Sequence, residues 1–158
     1  AVYKGDMLIN MDSQAPNKIF AEWAKTHIKG LTTIKSEVRH GDSRFDFYLE
    51  VGTKRIFAEV KGVTLEQDGV VMFPDAPTQR GLKHLRGLEA CISEGFGAMV
   101  VFIVQMERAD YFQANSETHR EFAEALRHAK QAGVSVLALN CHVLPDEITA
   151  LGEIQTKI

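Results

Sequence analysis

The chain has 158 residues, 45% hydrophobic and 25% charged, with 12 Gly and 4 Pro. This is the mix of one globular domain and excludes collagenous or Pro-rich disordered classes. The formal net charge of −3 is a poor overall match to nucleic acid, but residues 18–90 carry +2 and residues 91–158 carry −4, so a polyanion would meet the first half.

The N-terminus, Ala1–Asp6, lacks the apolar run of a secretory signal and begins without Met, so the chain reads as processed or as a fragment. Asn17, after Pro16, caps a helix to about Ile28 with Ile19, Phe20, Trp23, Ala24 and His27 on one face. Gly30 stops it. Thr32 to His40 is an extended, β-branched strand, and Gly41-Asp42-Ser43 a turn. Arg44 to Val51 alternates, with Phe45, Phe47, Leu49 and Val51 on one face and Arg44, Asp46, Tyr48 and Glu50 on the other. After Gly52-Thr53, the strand from Lys54 to Gly62 sets Ile56, Ala58 and Val60 against Arg55, Phe57, Glu59 and Lys61.

Residues 63–77 read as a loop broken by Gly69, Pro74 and Pro77. Thr78 caps a helix to about Glu94 with the stripe Leu82, Leu85, Leu88 and Ile92. The apolar run Gly97–Val104 suits a central strand covered on both faces, and is far too short to cross a membrane. Residues 118–131 form a helix with Phe122, Ala125 and Leu126 inward; Gly133 ends it, and Val134–Leu139 is a further buried strand. The tail after Pro145 gives no clear signal. A strand meander followed by helix–strand units predicts an α/β fold, a mixed β-sheet flanked by helices.

The chemistry sits on the second and third strands. If they pair through Gly52-Thr53, Asp46 and Glu59 approach on one side of the sheet with Lys61 beside them. Two carboxylates and the backbone carbonyl of Val60 make a hard-cation site for Mg²⁺ or Mn²⁺. The lysine would orient an attacking water or stabilise charge on a phosphate, as phosphodiester hydrolysis requires. An acid-x-Lys tripeptide arises about once by chance in such a chain, and acids facing bases across a hairpin are commonly only salt bridges. Both readings stand on periodicity alone.

Longer strings add to this. Arg39-His40-Gly41-Asp42-Ser43-Arg44-Phe45-Asp46-Phe47 is followed by Ala58-Glu59-Val60-Lys61-Gly62-Val63-Thr64-Leu65, then by Phe73-Pro74-Asp75-Ala76-Pro77-Thr78-Gln79-Arg80-Gly81-Leu82-Lys83-His84-Leu85. In this order, across about residues 10–145, they closely resemble the sugar fermentation stimulation protein A family of bacteria and archaea. The resemblance implies a PD-(D/E)XK, restriction-endonuclease-like fold, non-specific DNA binding, and a link to regulation of maltose and other sugar metabolism. By it, Asp46 matches the first motif acid, Glu59 and Lys61 the ExK pair, and Glu22 an auxiliary metal-binding acid. The family carries a small OB-like domain ahead of this region, so residues 1–158 are expected to be the nuclease-like domain alone.

Arg80, Lys83 and His84, one helical turn apart, either grip a DNA backbone or form an ordinary solvated face with His84 in a polar network. Arg39 and Arg44, flanking the Gly41 turn, are further phosphate-contact candidates. Asp42 and Asp75 suit turns that bond their own backbone. Cys91, Cys141 and His142 fall short of a zinc site without a fourth ligand, and the two cysteines read as inert buried thiols. With only two cysteines and no CxxC, the expected home is the reducing cytoplasm. No GxSxG, Walker A or GxGxxG is present, which disfavours serine hydrolases, NTPases and dinucleotide enzymes. The rival to a metal-dependent nuclease is an inactive nuclease fold that only binds DNA; action on RNA or a nucleotide messenger is a third reading.

Overall fold

A computed structural model describes all of residues 1–158. A small ribbon, β1 (Val2–Lys4) and β2 (Met7–Ile9), precedes helix α1 (Ala15–His27). Next come β3 (Leu31–His40), β4 (Ser43–Val51), β5 (Lys54–Val63), β6 (Leu65–Gln67) and β7 (Val70–Phe73). Helix α2 (Gln79–Ser93), β8 (Gly97–Val104), β9 (Tyr111–Ala114), α3 (Arg120–Ala132), β10 (Ser135–Leu144) and β11 (Glu147–Lys157) complete the chain. Nine strands form one sheet in the order β3-β4-β5-β8-β10-β11-β9-β7-β6. The hairpins β3–β4 and β4–β5 are antiparallel, whereas β5, β8 and β10 run parallel. The mixed α/β sheet with flanking helices predicted from the element order is what forms.

The sheet separates two cores. On one face α1 buries Ile19, Phe20 and Ala24 against Phe47, Leu49, Ala58 and Val60. On the other, α2 and α3 bury Leu85, Leu88, Phe122 and Leu126 against Phe45 and Phe57. Central β8 explains its own apolar run: Val100, Phe102 and Val104 serve the second core, Val101 and Ile103 the first. A strand covered twice has no polar face to alternate.

Several expectations are corrected. Helix α1 starts at Ala15, not Asn17, because Pro16 occupies the first turn, where its missing N–H costs nothing. His27 is exposed and stacks on Trp23 instead of joining the core. Residues 63–77 are not one loop: β6 and β7 form there, stabilised by pairing with distant β9. The tail is strand β11, antiparallel to β10 along most of its length. Phe45 does not share a face with Phe47. The β3–β4 ladder skips the Glu37–Asp46 pair, Glu37 takes φ 54, and Phe45 lies in the α2 core while Phe47 lies in the α1 core. The cap at Thr78 forms as read, its Oγ1 accepting from the Gly81 amide at 2.9 Å.

Candidate functional site

Ladder pairing between β4 and β5 runs from Val51↔Lys54 to Phe47↔Ala58 and stops there. Beyond that point carboxylates bridge the two strands. The Asp46 amide donates to Glu59 Oε1 at 3.1 Å, and the Val60 amide donates to Asp46 Oδ2 at 2.8 Å. Each acid thus takes the other strand's N–H, and both are drawn to one gap. In extended backbone a residue's N–H and C=O leave the same edge of the strand, so the Val60 carbonyl also faces this gap.

The two acids are reached from opposite layers. Asn17 Nδ2 of α1 donates to Asp46 Oδ1 at 3.3 Å. Under α2, Glu59 is 3% exposed, and its Oε2 lies 2.7 Å from His84 Nδ1 and accepts from Lys61 Nζ at 3.1 Å. Glu59 follows the face of Phe57, so a carboxylate occupies a core-facing position and is tolerable only with such partners. The expected shared face is therefore a shared gap at the sheet surface, with Asp46 anchored from one layer and Glu59 from the other.

Electrostatics separate the pair. Burial, then the charge of Glu59, raise the Asp46 carboxyl above its usual range, against the Val60 amide, Asn17 and Lys61. Burial also pushes Glu59 upward, but His84 and Lys61 outweigh it and leave Glu59 below the usual range. One acid is thus held ionised while the other resists ionisation beside it, and a cation in the gap would relieve that repulsion. His84 Nδ1 lies 2.7 Å from both Glu59 Oε2 and Lys61 Nζ, so the imidazole tautomer decides which it serves.

Close packing holds this geometry. A Cβ on Gly62 would lie 2.9 Å from Pro16 Cγ and 2.6 Å from Gln105 Oε1, so the start of α1 rests directly on β5. Gln105 Nε2 donates to Asn10 Oδ1 and to the Asp12 carbonyl, at 3.0 and 2.9 Å, which fixes the approach to α1 and hence Asn17. On the other side Gly87 lets α2 close on Ser43 and Phe45. Asn17 and Gln105 were not among the site candidates. Asn17 carries a sequence signal for a cap, whereas Gln105 gives none, because its partners lie more than 90 residues away.

The remaining candidates are dispersed. Glu22 is exposed on α1 and lines a groove with Asp12, Lys18 and Glu147, while Asn17 is the α1 side chain that reaches Asp46. Arg80 and Lys83 are exposed on α2, but His84 turns inward to Glu59 and Lys61. The trio is therefore two surface cations and one buried imidazole. Arg39 is exposed at the end of β3, and Arg44 pairs with Glu37 at 3.5 Å, both side chains solvated. Cys91 and Cys141 are free and lie in different cores, so they do not meet. No helix is long and apolar enough to cross a membrane.

The donor set suits a hard divalent ion. Carboxylate and carbonyl oxygens are the ligands Mg²⁺, Mn²⁺ and Ca²⁺ prefer, and Lys61 adds a donor at the rim for a phosphate oxygen or a water.

A family model described as the sugar fermentation stimulation protein RE domain matches residues 14–147. A sugar fermentation stimulation protein homolog of Desulfitobacterium hafniense (strain Y51) is 52% identical over 158 residues, spanning 99% of this chain and 69% of the relative. The homolog of Clostridium beijerinckii is 52% identical over 149 residues, spanning 93% of this chain and 66% of the relative. Among solved structures, Pyrococcus furiosus SfsA in complex with Ca²⁺ aligns with a TM-score of 0.81 at 34% identity, covering 90% of this chain and 62% of that one. The chain thus spans about two thirds of these relatives.

Proposed function

This chain belongs to the sugar fermentation stimulation protein family, and we propose that it binds DNA and hydrolyses phosphodiester bonds with Mg²⁺ or Mn²⁺ held by Asp46 and Glu59. The observation that carries the reading is the reciprocal bridging at the β4–β5 gap, which gathers two carboxylates and a backbone carbonyl beside one lysine. A relative of similar fold is a Ca²⁺ complex, in keeping with a hard, oxygen-seeking ion in this family. When bound, such an ion polarises a phosphate and acidifies a water.

The chain's own residues do the rest. Asn17 and the Val60 amide hold the Asp46 carboxylate, while His84 fixes Glu59 and limits where the Lys61 ammonium sits. Lys61 orients the water or carries charge from the phosphate oxygens. Exposed Arg80 and Lys83 track the backbone through sequence-independent contacts. The setting is a reducing cytoplasm, consistent with two free cysteines. The tie to sugar use, maltose included, rests on the family resemblance.

One observation favours a second reading, a DNA-binding module without turnover: Lys61 is engaged by both Glu59 and His84. The test incubates purified protein with Mg²⁺ or Mn²⁺ and single- and double-stranded DNA, beside Asp46→Ala and Lys61→Ala. Cleavage lost in both variants supports hydrolysis. Cleavage unchanged in both removes these residues from the mechanism, and retention of DNA without cleavage by any form leaves the binding module. Arg80→Ala and Lys83→Ala should each lower the salt-dependence slope of binding by about 1.

A further inference from the structure

We propose that His40, Cys91 and Glu94 form a zinc-binding site tying the end of β3 to the end of α2. Their ligand atoms, an imidazole nitrogen, a thiol sulfur and a carboxylate oxygen, all lie within 4.8 Å of one another. His40 Nε2 and Glu94 Oε1 are 3.1 Å apart. Two ligands of tetrahedral zinc, with bonds of about 2.0 Å to N and O, stand about 3.3 Å apart, so this edge is already near its final length. With a Zn–S bond of about 2.3 Å the sulfur belongs about 3.5 Å from each of the other two, so from within 4.8 Å it needs to move inward by up to about 1.4 Å to complete a face.

The three residues come from a design that fixes them. Cys91 lies in the last turn of α2 and Glu94, three residues on, is its C-cap, with its N–H still bonded to the carbonyls of that turn, so both stand at the same end of the helix. Cys91 is 1% exposed, on the wall of the second core. The His40 ring packs on Phe57 at 4.6 Å between centroids and meets the edge of Phe96 at 5.0 Å, which restricts its rotation. Glu94 is exposed, leaving a solvent side for a water as fourth ligand. A nitrogen, sulfur and oxygen set selects a borderline ion such as Zn²⁺ over Mg²⁺ or Ca²⁺. Hard-ion chemistry at Asp46 and Glu59 and borderline chemistry here are thus separated by donor type. The bland alternative is a solvated His–Glu pair beside an inert core thiol.

The test uses Co²⁺ and Zn²⁺ alone on the whole chain carrying Asp46→Ala, which disables the oxygen site, and on the unaltered chain. Co²⁺ should give a thiolate-to-cobalt charge-transfer band in both, saturating at one ion per chain where Asp46→Ala has removed the oxygen site, and Zn²⁺ should bleach it. Cys91→Ser should abolish the band, and Cys141→Ser should keep it. Glu94→Gln, at an exposed position that leaves folding intact, should weaken Zn²⁺ binding about 10-fold or more. Absence of the band, its survival in Cys91→Ser, or equal Zn²⁺ affinity in Glu94→Gln would each overturn the site. Because the readout is a sulfur-to-metal band in a chain lacking Asp46, it is independent of DNA cleavage.

Discussion

Helix α2 carries a polar cluster toward each end, and the two are built on different terms. In its first half His84 presses into the sheet against Glu59 and Lys61, where Glu59 is 3% exposed and each polar group is partnered. At its end Cys91 is buried, but Glu94 is half in water, with a side chain 53% exposed, and its pair with His40 is solvated. The first cluster is held together by its own charges, since a buried carboxylate needs them. The second makes little demand on its neighbours without an ion, because a solvated pair contributes little. Burial therefore decides which cluster the fold depends on and which is free to respond to a ligand.

The sharpest way to break this comparison is to remove the acid from each. Glu59→Ala leaves His84 and Lys61 without their anion and should cost about 3 kcal/mol, a fall of roughly 6–12 °C in Tm. Metal-free Glu94→Ala should stay within about 0.5 kcal/mol. Equal losses in calorimetry would show that burial does not separate the two clusters.

Next in size is the seat of α1. Gly62→Ala drives a methyl into Pro16 and Gln105 and should cost about 1–3 kcal/mol. It should also loosen the Asn17 contact, so Mn²⁺ affinity should drop with stability; denaturant melts and titration calorimetry check both.

A smaller effect of opposite sign is expected at Asp46. Its folded pKa is raised, so its ionised form opposes folding, whereas Glu59, with a lowered pKa, supports it. Asp46→Asn should leave the metal-free protein unchanged or more stable by up to about 1 kcal/mol while removing the stabilisation by Mn²⁺. A clear metal-free destabilisation would contradict the sign.

The same two shifts order the acid transitions. Stability from Glu59 is present above the ordinary carboxylate range and is lost only as pH falls through its lowered value. Asp46 takes up its proton at a higher pH. As pH falls, Mn²⁺ should therefore dissociate before the protein unfolds, an order that binding and circular-dichroism titrations can compare. Coincident transitions would refute it.

How much was legible in the chain depends on how local each signal was. The caps at Thr78 and Gly133, the stripes of α2 and α3 and the apolar β8 are set by neighbouring residues, and they formed as read. Strands β6, β7 and β9 are three or four residues long; β6 pairs only with its neighbour β7, but β7 and β9 join the sheet through partners far along the chain, so no window of sequence contains the cause of that placement. Asp46, Glu59 and Lys61 could be named from motif and alternation. That Asp46 would leave its expected face and bridge to the Val60 amide follows from the interrupted β3–β4 ladder.

His84 shows the same division at one residue. Spacing placed it beside Arg80 and Lys83, and a helix of 3.6 residues per turn does put the three near one another. Which of them faced the sheet depended on how α2 settled on β4, and Gly87 and Phe45 set that approach. The amino-acid order by itself determined the periods, the caps and the identity of the chemical groups, because these depend on contacts a few residues apart. Only the tertiary structure decided burial, and with it which charges must be paired and which pairs stand ready for an ion, because desolvation depends on what lies overhead.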